Sequence, residues 1–112
     1  MEKLRTNKNR VEWDGGRLDL PIRALEAIRL GERVLVIHDY MAYPRGKPVP
    51  NFVAFSPSGE RLWTAENLGG LDESDAYVNF LSEEPLWVWN FACYVCRIDP
   101  QTGKLLEKKF TK

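Results

Sequence analysis

Two cysteines, Cys93 and Cys96, have the C-x-x-C spacing of redox-active pairs and of half zinc sites. A redox pair of the thioredoxin type begins a helix, whereas aromatic and β-branched residues flank this pair. A zinc site needs four ligands, and the chain has no third cysteine and one histidine, His38. We therefore predict two free thiols, no metal and no cofactor, in a stretch (residues 86–104) that forms a β-hairpin.

The distance between the cysteines supports free thiols if both lie on one strand. At about 3.3 Å per residue, their Cα atoms would then be about 10 Å apart. A disulfide needs Cα atoms within about 7 Å, so it could not form. A turn at Ala92-Cys93 would remove this limit.

Hydrolytic chemistry would need His38 or a pair of carboxylates. Asp39 follows His38 directly, and neighbouring side chains on a strand point to opposite faces, so a Ser-His-Asp triad is not indicated. Asp72, Glu73 and Asp75 are clustered, but they lie along one loop and lack the pattern of an EF-hand or of carboxylates facing across a cleft. We predict that the protein is not an enzyme and has no catalytic residues.

Trp87 and Trp89 are two residues apart and so share one face of a strand. Such a pair can be part of a hydrophobic core or a platform on which sugars or bases stack. We favour the core. The platform provides an alternative function, a small-ligand or carbohydrate-binding β domain that uses an aromatic sheet face.

Charge and hydropathy limit the partners and the location of the protein. Sixteen basic and sixteen acidic residues cancel, so we expect no nucleic-acid partner. No apolar stretch resembles a signal peptide or a membrane span, so we expect a cytoplasmic protein with no membrane partner.

The elements that must position these residues are predicted to be strands. Short apolar runs alternate with turns such as Asp14-Gly15-Gly16 and Ser56-Pro57-Ser58-Gly59. Residues 22–30 fit both a helix and a strand, and we favour a hairpin with "RVLVIHDY". The fold class is all-β: an antiparallel meander of about eight or nine short strands with propeller-blade-like hairpins, packed as a small sandwich or open barrel. It forms one domain, residues 1–112, in which residues 1–10 are predicted to be flexible.

The segments "NFVAFSPSGERLWTAE" and "CYVCRIDPQTGK" resemble those of an uncharacterised family of small bacterial proteins. Their hairpins are similar to those of propeller blades, in which a strand ends in D-x-x-T-G-K, here Asp99 to Lys104. In that comparison Ala92-Cys93 forms a turn. The resemblance also implies that the protein accompanies a large bacterial toxin as its immunity protein.

Two long loops of opposite character are the candidate binding surface. Loops on a rigid β scaffold commonly carry recognition residues, and tyrosine and arginine are typical interface anchors. We therefore predict a non-enzymatic protein-binding domain, an immunity or inhibitor protein whose partner is a toxin domain. Its predicted partner-binding residues are Tyr40, Tyr43, Arg45 and Lys47 in the basic loop and Asp72, Glu73 and Asp75 in the acidic loop.

Overall fold

Eleven antiparallel strands form three sheets in the computed structural model, which describes residues 1–111 and thus all of the predicted domain except Lys112. The first sheet contains β1 (Arg5–Asn7), β2 (Arg10–Trp13) and β3 (Gly16–Asp19). The middle sheet contains β4 (Ala24–Leu30), β5 (Arg33–His38), β6 (Phe52–Phe55) and β7 (Arg61–Thr64). The third sheet contains β8 (Tyr77–Ser82), β9 (Trp87–Asn90), β10 (Tyr94–Ile98) and β11 (Leu105–Phe110).

The predicted all-β sandwich class is confirmed. Strands adjacent in sequence pair in space within each sheet, as in a meander, and none of the sheets formed by residues 1–111 closes into a barrel. The structure has more strands than the eight or nine predicted. Arg5–Asn7, which contains no apolar residue, adds β1. The turn at Phe91–Cys93 separates β9 from β10, as the resemblance implies.

The middle sheet is buried on both faces. Val34 and Val36 point to one core with β2 and β3, whereas Leu35 and Ile37 point to a second core with the third sheet. Because successive side chains on a strand alternate between faces, a strand between two sheets must be apolar throughout. This explains the unbroken apolar run in β5, in which residues 34–38 are all buried.

Residues 22–30 contain a strand, as favoured from the sequence. β4 pairs with β5 from Leu30↔Arg33 to Ala24↔His38, with a bulge between Ala24 and Glu26. The bulge accounts for the break in two-residue periodicity that made this segment ambiguous. Among residues 1–111 the only helical turn is a short 3-10 turn at Tyr40–Ala42.

The predicted flexible segment, residues 1–10, contributes to the first sheet. Arg5–Asn7 pairs with Arg10–Glu12, and the Leu4 N–H donates to the Ala27 carbonyl at 2.8 Å. These contacts give the segment a defined position against the middle sheet. Its flexibility remains a prediction.

The D-x-x-T-G-K hairpin docks on the end of β7. The Trp63 Nε1–H donates to the Pro100 carbonyl at 3.0 Å, and a Cβ on Gly103 would lie 2.5 Å from the Trp63 ring. Gly103 also has a φ of 79°, in the region that glycine adopts without strain. The glycine thus allows both the turn and the close approach of the indole.

Candidate functional site

The two predicted loops meet at one edge of the molecule. The basic loop (residues 39–51) joins β5 to β6, and the acidic loop (residues 65–76) joins β7 to β8. The Arg45 Nε lies 3.4 Å from a Glu73 carboxylate oxygen, and the Gly46 N–H donates to the other oxygen at 3.0 Å. At their bases, the Val49 N–H donates to the Asp75 carbonyl at 3.0 Å. The loops therefore form one continuous surface.

A cleft of about 410 Å³ lies between these loops. Its principal lining side chains come from both loops and from the turn after β9: Tyr40, Met41, Tyr43, Arg45, Asp72, Glu73, Ser74 and Phe91. The Asp39 carboxylate fixes the start of the basic loop, because it accepts the Met41 N–H at 2.9 Å and caps the 3-10 turn. Tyr40 and Phe91 pack against each other, with ring centroids 6.1 Å apart.

Five of the seven predicted binding residues line this cleft, namely Tyr40, Tyr43, Arg45, Asp72 and Glu73. Lys47 is exposed on the same loop but lies outside the cleft lining. Met41 and Phe91, which are 71% and 55% exposed, also line the cleft but were not predicted from the sequence. Phe91 follows Trp89 by two residues, so two-residue periodicity alone would place it on the same strand, whereas in the structure the strand has ended at Asn90.

Asp75 was predicted to bind the partner, but its carboxylate is fully buried, so this prediction is wrong. It accepts hydrogen bonds from the Gly70 N–H at 2.9 Å, the Leu68 N–H at 3.2 Å and two asparagine amides. A carboxylate enclosed by four donors holds the acidic loop in place and does not face a partner. The sequence pattern, an acidic residue among loop residues, is the same for exposed and buried carboxylates.

Three buried polar side chains support the cleft from below, since Asn51 and Asn90 are as fully buried as Asp75. The Asn51 amide donates to the His38 and Tyr77 carbonyls at 2.9 and 2.7 Å and accepts the Tyr77 N–H at 3.0 Å. It therefore ties the middle sheet to the third sheet. The Asn90 amide donates to Asp75 at 3.0 Å and connects β9 to the acidic loop.

Three ionisable groups of the cleft have pKa values shifted further away from neutral pH. Hydrogen bonds from the Ser74 hydroxyl and N–H lower the pKa of Asp72. The pKa of Glu73 is lowered by hydrogen bonds from its own N–H and from that of Gly46, with a smaller effect of Arg45. Burial raises the pKa of Tyr43. Two carboxylates and a neutral phenol can form ion pairs and hydrogen bonds, but none is poised to exchange a proton near pH 7.

His38 and the cysteines lie apart from the cleft lining. His38 is buried, and its Nδ1 lies 3.1 Å from the Ile22 carbonyl, whereas its Nε2 has no hydrogen-bond partner among residues 1–111. Cys93 is exposed in the turn before β10, Cys96 is buried, and both are free thiols, as predicted. Burial raises the pKa of Cys96 to about 11. Within residues 1–111 no three His, Cys, Asp or Glu side chains are grouped to hold a metal ion.

A second aromatic surface lies on the outer face of the third sheet. Val88 and Asn90 are buried, so Trp87 and Trp89, which alternate with them, point outward and are half-buried. The prediction that these tryptophans belong to the core is therefore wrong. The two-residue spacing placed them correctly on one face, but only the packing of the sheets decides which face is covered.

The sequence over residues 1–110 matches the model of a protein family described as Domain of unknown function (DUF7957). No curated protein and no solved structure matches the chain. In the part of the chain that the structure describes, no helix is long and apolar enough to span a membrane.

Proposed function

Because the chain belongs to the DUF7957 family of domains of unknown function, we propose its function from its own cleft: it is a non-enzymatic protein-binding domain. The cleft between the basic and acidic loops receives part of the partner. The resemblance of the hairpins to those of small bacterial proteins adds a finer proposal. In it, the partner is a toxin domain, and this protein is its cytoplasmic immunity or inhibitor protein.

One observation carries this proposal: interface-type side chains from distant parts of the sequence are exposed around one cleft. Met41 and Phe91 are 71% and 55% exposed, and they line the cleft together with two tyrosines and an arginine. Large exposed apolar side chains that cluster beside polar ones are typical of protein-interaction sites. Tyrosine and arginine are enriched among the residues that contribute most to binding.

The buried network beneath the cleft supports the same proposal. Asn51, Asp75 and Asn90 hold both loops by hydrogen bonds of 2.7–3.2 Å. A partner that binds a preformed surface does not have to order these loops, so more of the contact energy contributes to affinity. The charge states of the cleft residues also favour binding over catalysis.

The test is a comparison of three immobilised proteins exposed to lysate of the source organism: wild type, Phe91→Ala and Phe110→Ala. Phe110 is a matched control, because it is 61% exposed on β11 and packs on Tyr94 outside the cleft. We expect a protein that is retained by the wild type and by Phe110→Ala but lost with Phe91→Ala. The same protein should then be purified and its affinity measured by calorimetry.

With the purified partner, the kinetics separate the roles of the residues. Phe91→Ala or Tyr43→Ala should weaken binding by about 2 kcal/mol, mostly through faster dissociation. The double variant Asp72→Asn/Glu73→Gln should associate more slowly than the wild type. This difference in association rate should become smaller at high salt, because ions screen long-range electrostatic steering. Equal affinity of wild type and all cleft variants would refute binding in the cleft.

The outer face of the third sheet favours a second candidate, the binding of a carbohydrate or other small ligand. Trp89 lies opposite Val95 on one side and Asn79 on the other, which places an indole between an apolar and an amide side chain. The Lys109 Nζ covers the Trp87 ring at 5.0 Å, so Trp89 is the better stacking surface. Oligosaccharides should then change the tryptophan fluorescence of the wild type and of Phe91→Ala but not that of Trp89→Ala. A change that persists in Trp89→Ala would refute this candidate.

A further inference from the structure

Three aromatic rings line the cleft, and two of them pack against each other. The Tyr40 and Phe91 centroids are 6.1 Å apart, with the planes inclined by 45°. Tyr43 is the third ring in the lining. The faces of aromatic rings carry partial negative charge and attract cations within about 6 Å of the centroid.

Two carboxylates, those of Asp72 and Glu73, line the same cleft. The Asp72 Oδ1 accepts the Ser74 hydroxyl at 2.7 Å and the Ser74 N–H at 3.0 Å, so the second oxygen is available to a ligand. One carboxylate oxygen of Glu73 accepts the Gly46 N–H, and the other lies beside the Arg45 guanidinium. Two carboxylates and one guanidinium line the cleft, so its charged side chains carry a net charge of −1.

From this combination we propose that the cleft receives a lysine or arginine side chain of the protein partner, an inference that rests on the proposed function. The aliphatic part of such a side chain would contact the aromatic rings, and its charged end would reach Asp72. A carboxylate in the same place would meet two like charges. Among residues 1–111, Arg45 is the one cation of the lining. It is already paired with Glu73 and its side chain is 81% exposed, so it belongs to the rim of the cleft.

The experiment titrates the ¹⁵N-labelled protein with four peptides of the form acetyl-Ala-X-Ala-amide, where X is lysine, arginine, norleucine or glutamate. Norleucine keeps the apolar stem of lysine and lacks the charge. The lysine and arginine peptides should shift the amide signals of both loops and of Phe91. We expect about tenfold weaker binding of the norleucine peptide, since a cation near aromatic faces and a carboxylate contributes on that scale. The glutamate peptide should bind more weakly still.

Two conservative substitutions test the named residues. Asp72→Asn keeps the oxygen that accepts from Ser74, and Phe91→Leu keeps an apolar side chain but removes the ring. Each should weaken binding of the lysine peptide by roughly three- to tenfold. The matched controls are Asp14→Asn, in an exposed turn of the first sheet, and Phe110→Leu, and both should bind as the wild type does.

Several results would overturn the proposal. Equal affinity for the norleucine and lysine peptides would make the cleft an apolar groove, and preference for the glutamate peptide would make Arg45 the receptor. Tighter binding of tetramethylammonium than of either cationic peptide would assign the cleft to a small quaternary ammonium compound. If a partner is lost with Phe91→Ala but none of the peptides binds, the proposed function stands and this inference fails.

Discussion

The buried carboxylate of Asp75 gives the sharpest test of how the cleft is built. Asp75→Asn changes one atom of the side chain and removes its charge. In the wild type, one oxygen accepts from three donors, the amides of Asn67 and Asn90 and the Leu68 N–H, and the other oxygen accepts the Gly70 N–H at 2.9 Å. In the variant, the new NH₂ group must face one of these donors. One hydrogen bond is therefore lost, and the others become bonds to a neutral acceptor.

These contacts determine how much of the free energy of unfolding is lost in Asp75→Asn. Leaving buried donors without a partner costs about 1–3 kcal/mol, and each bond weakened from a charged to a neutral acceptor costs about 1 kcal/mol more. Relief of the cost of burying a charge offsets part of this loss. We expect the free energy of unfolding to fall by about 2–4 kcal/mol. For a domain of this size the melting temperature should then drop by about 8–16 °C.

The assay is urea unfolding followed by tryptophan fluorescence and far-UV circular dichroism. Asp72→Asn is the control, because it removes the same charge from an exposed side chain of the same loop. It should change the free energy of unfolding by no more than about 0.5 kcal/mol. Equal stability of Asp75→Asn and Asp72→Asn would show that Asp75 is not the support of the acidic loop.

Three further predictions concern other parts of the fold. Burial lowers the pKa of His38, so below pH about 6.5 the unfolded chain binds more protons than the folded one, and the free energy of unfolding should decrease as the pH is lowered. In His38→Phe, the change in the free energy of unfolding between pH 7 and 5.5 should be smaller. An unchanged pH dependence would contradict this. Gly103→Ala should cost about 2–4 kcal/mol in urea unfolding, since the methyl group meets the Trp63 ring at a positive φ. The control Gly15→Ala, also at positive φ but with open space around it, should cost about 1–2 kcal/mol, and equal losses would exclude the clash. A thiol reagent should label one cysteine of the native protein quickly and the buried Cys96, whose pKa is about 11, only on unfolding; fast labelling of both would contradict its burial.

The strands and their order were predictable because they depend on local information. Alternating or continuous apolar runs between Pro and Gly turns specify where β-strands begin and end, and short connections favour antiparallel neighbours. The hairpin at Asp99 to Lys104 is the clearest case, since its turn residues lie within six positions. β1 escaped prediction because Arg5–Asn7 has no apolar residue, and its position follows from pairing with β2.

The composition of the cleft was also partly predictable. Two long loops of opposite charge on a β scaffold indicated a binding surface, and Tyr40, Tyr43, Arg45, Asp72 and Glu73 come from those loops. Phe91 was not grouped with them, because a turn rather than a loop carries it to the cleft. The carbonyl of Ala76, at the end of the acidic loop and 15 positions earlier in the sequence, accepts the Phe91 N–H at 2.8 Å. This hydrogen bond holds the turn after β9 against the acidic loop.

The sequence by itself determined which residues form strands, which form turns and which faces of each strand they share. Those properties follow from backbone sterics and two-residue periodicity, which act over a few neighbouring positions. The tertiary structure alone decided which face is covered. Trp87 and Trp89 share a face but lie outside, whereas Asp75 belongs to a polar loop but lies inside. The physical reason is that burial is decided by how sheets stack and where buried donors converge, and both depend on residues far apart in the chain.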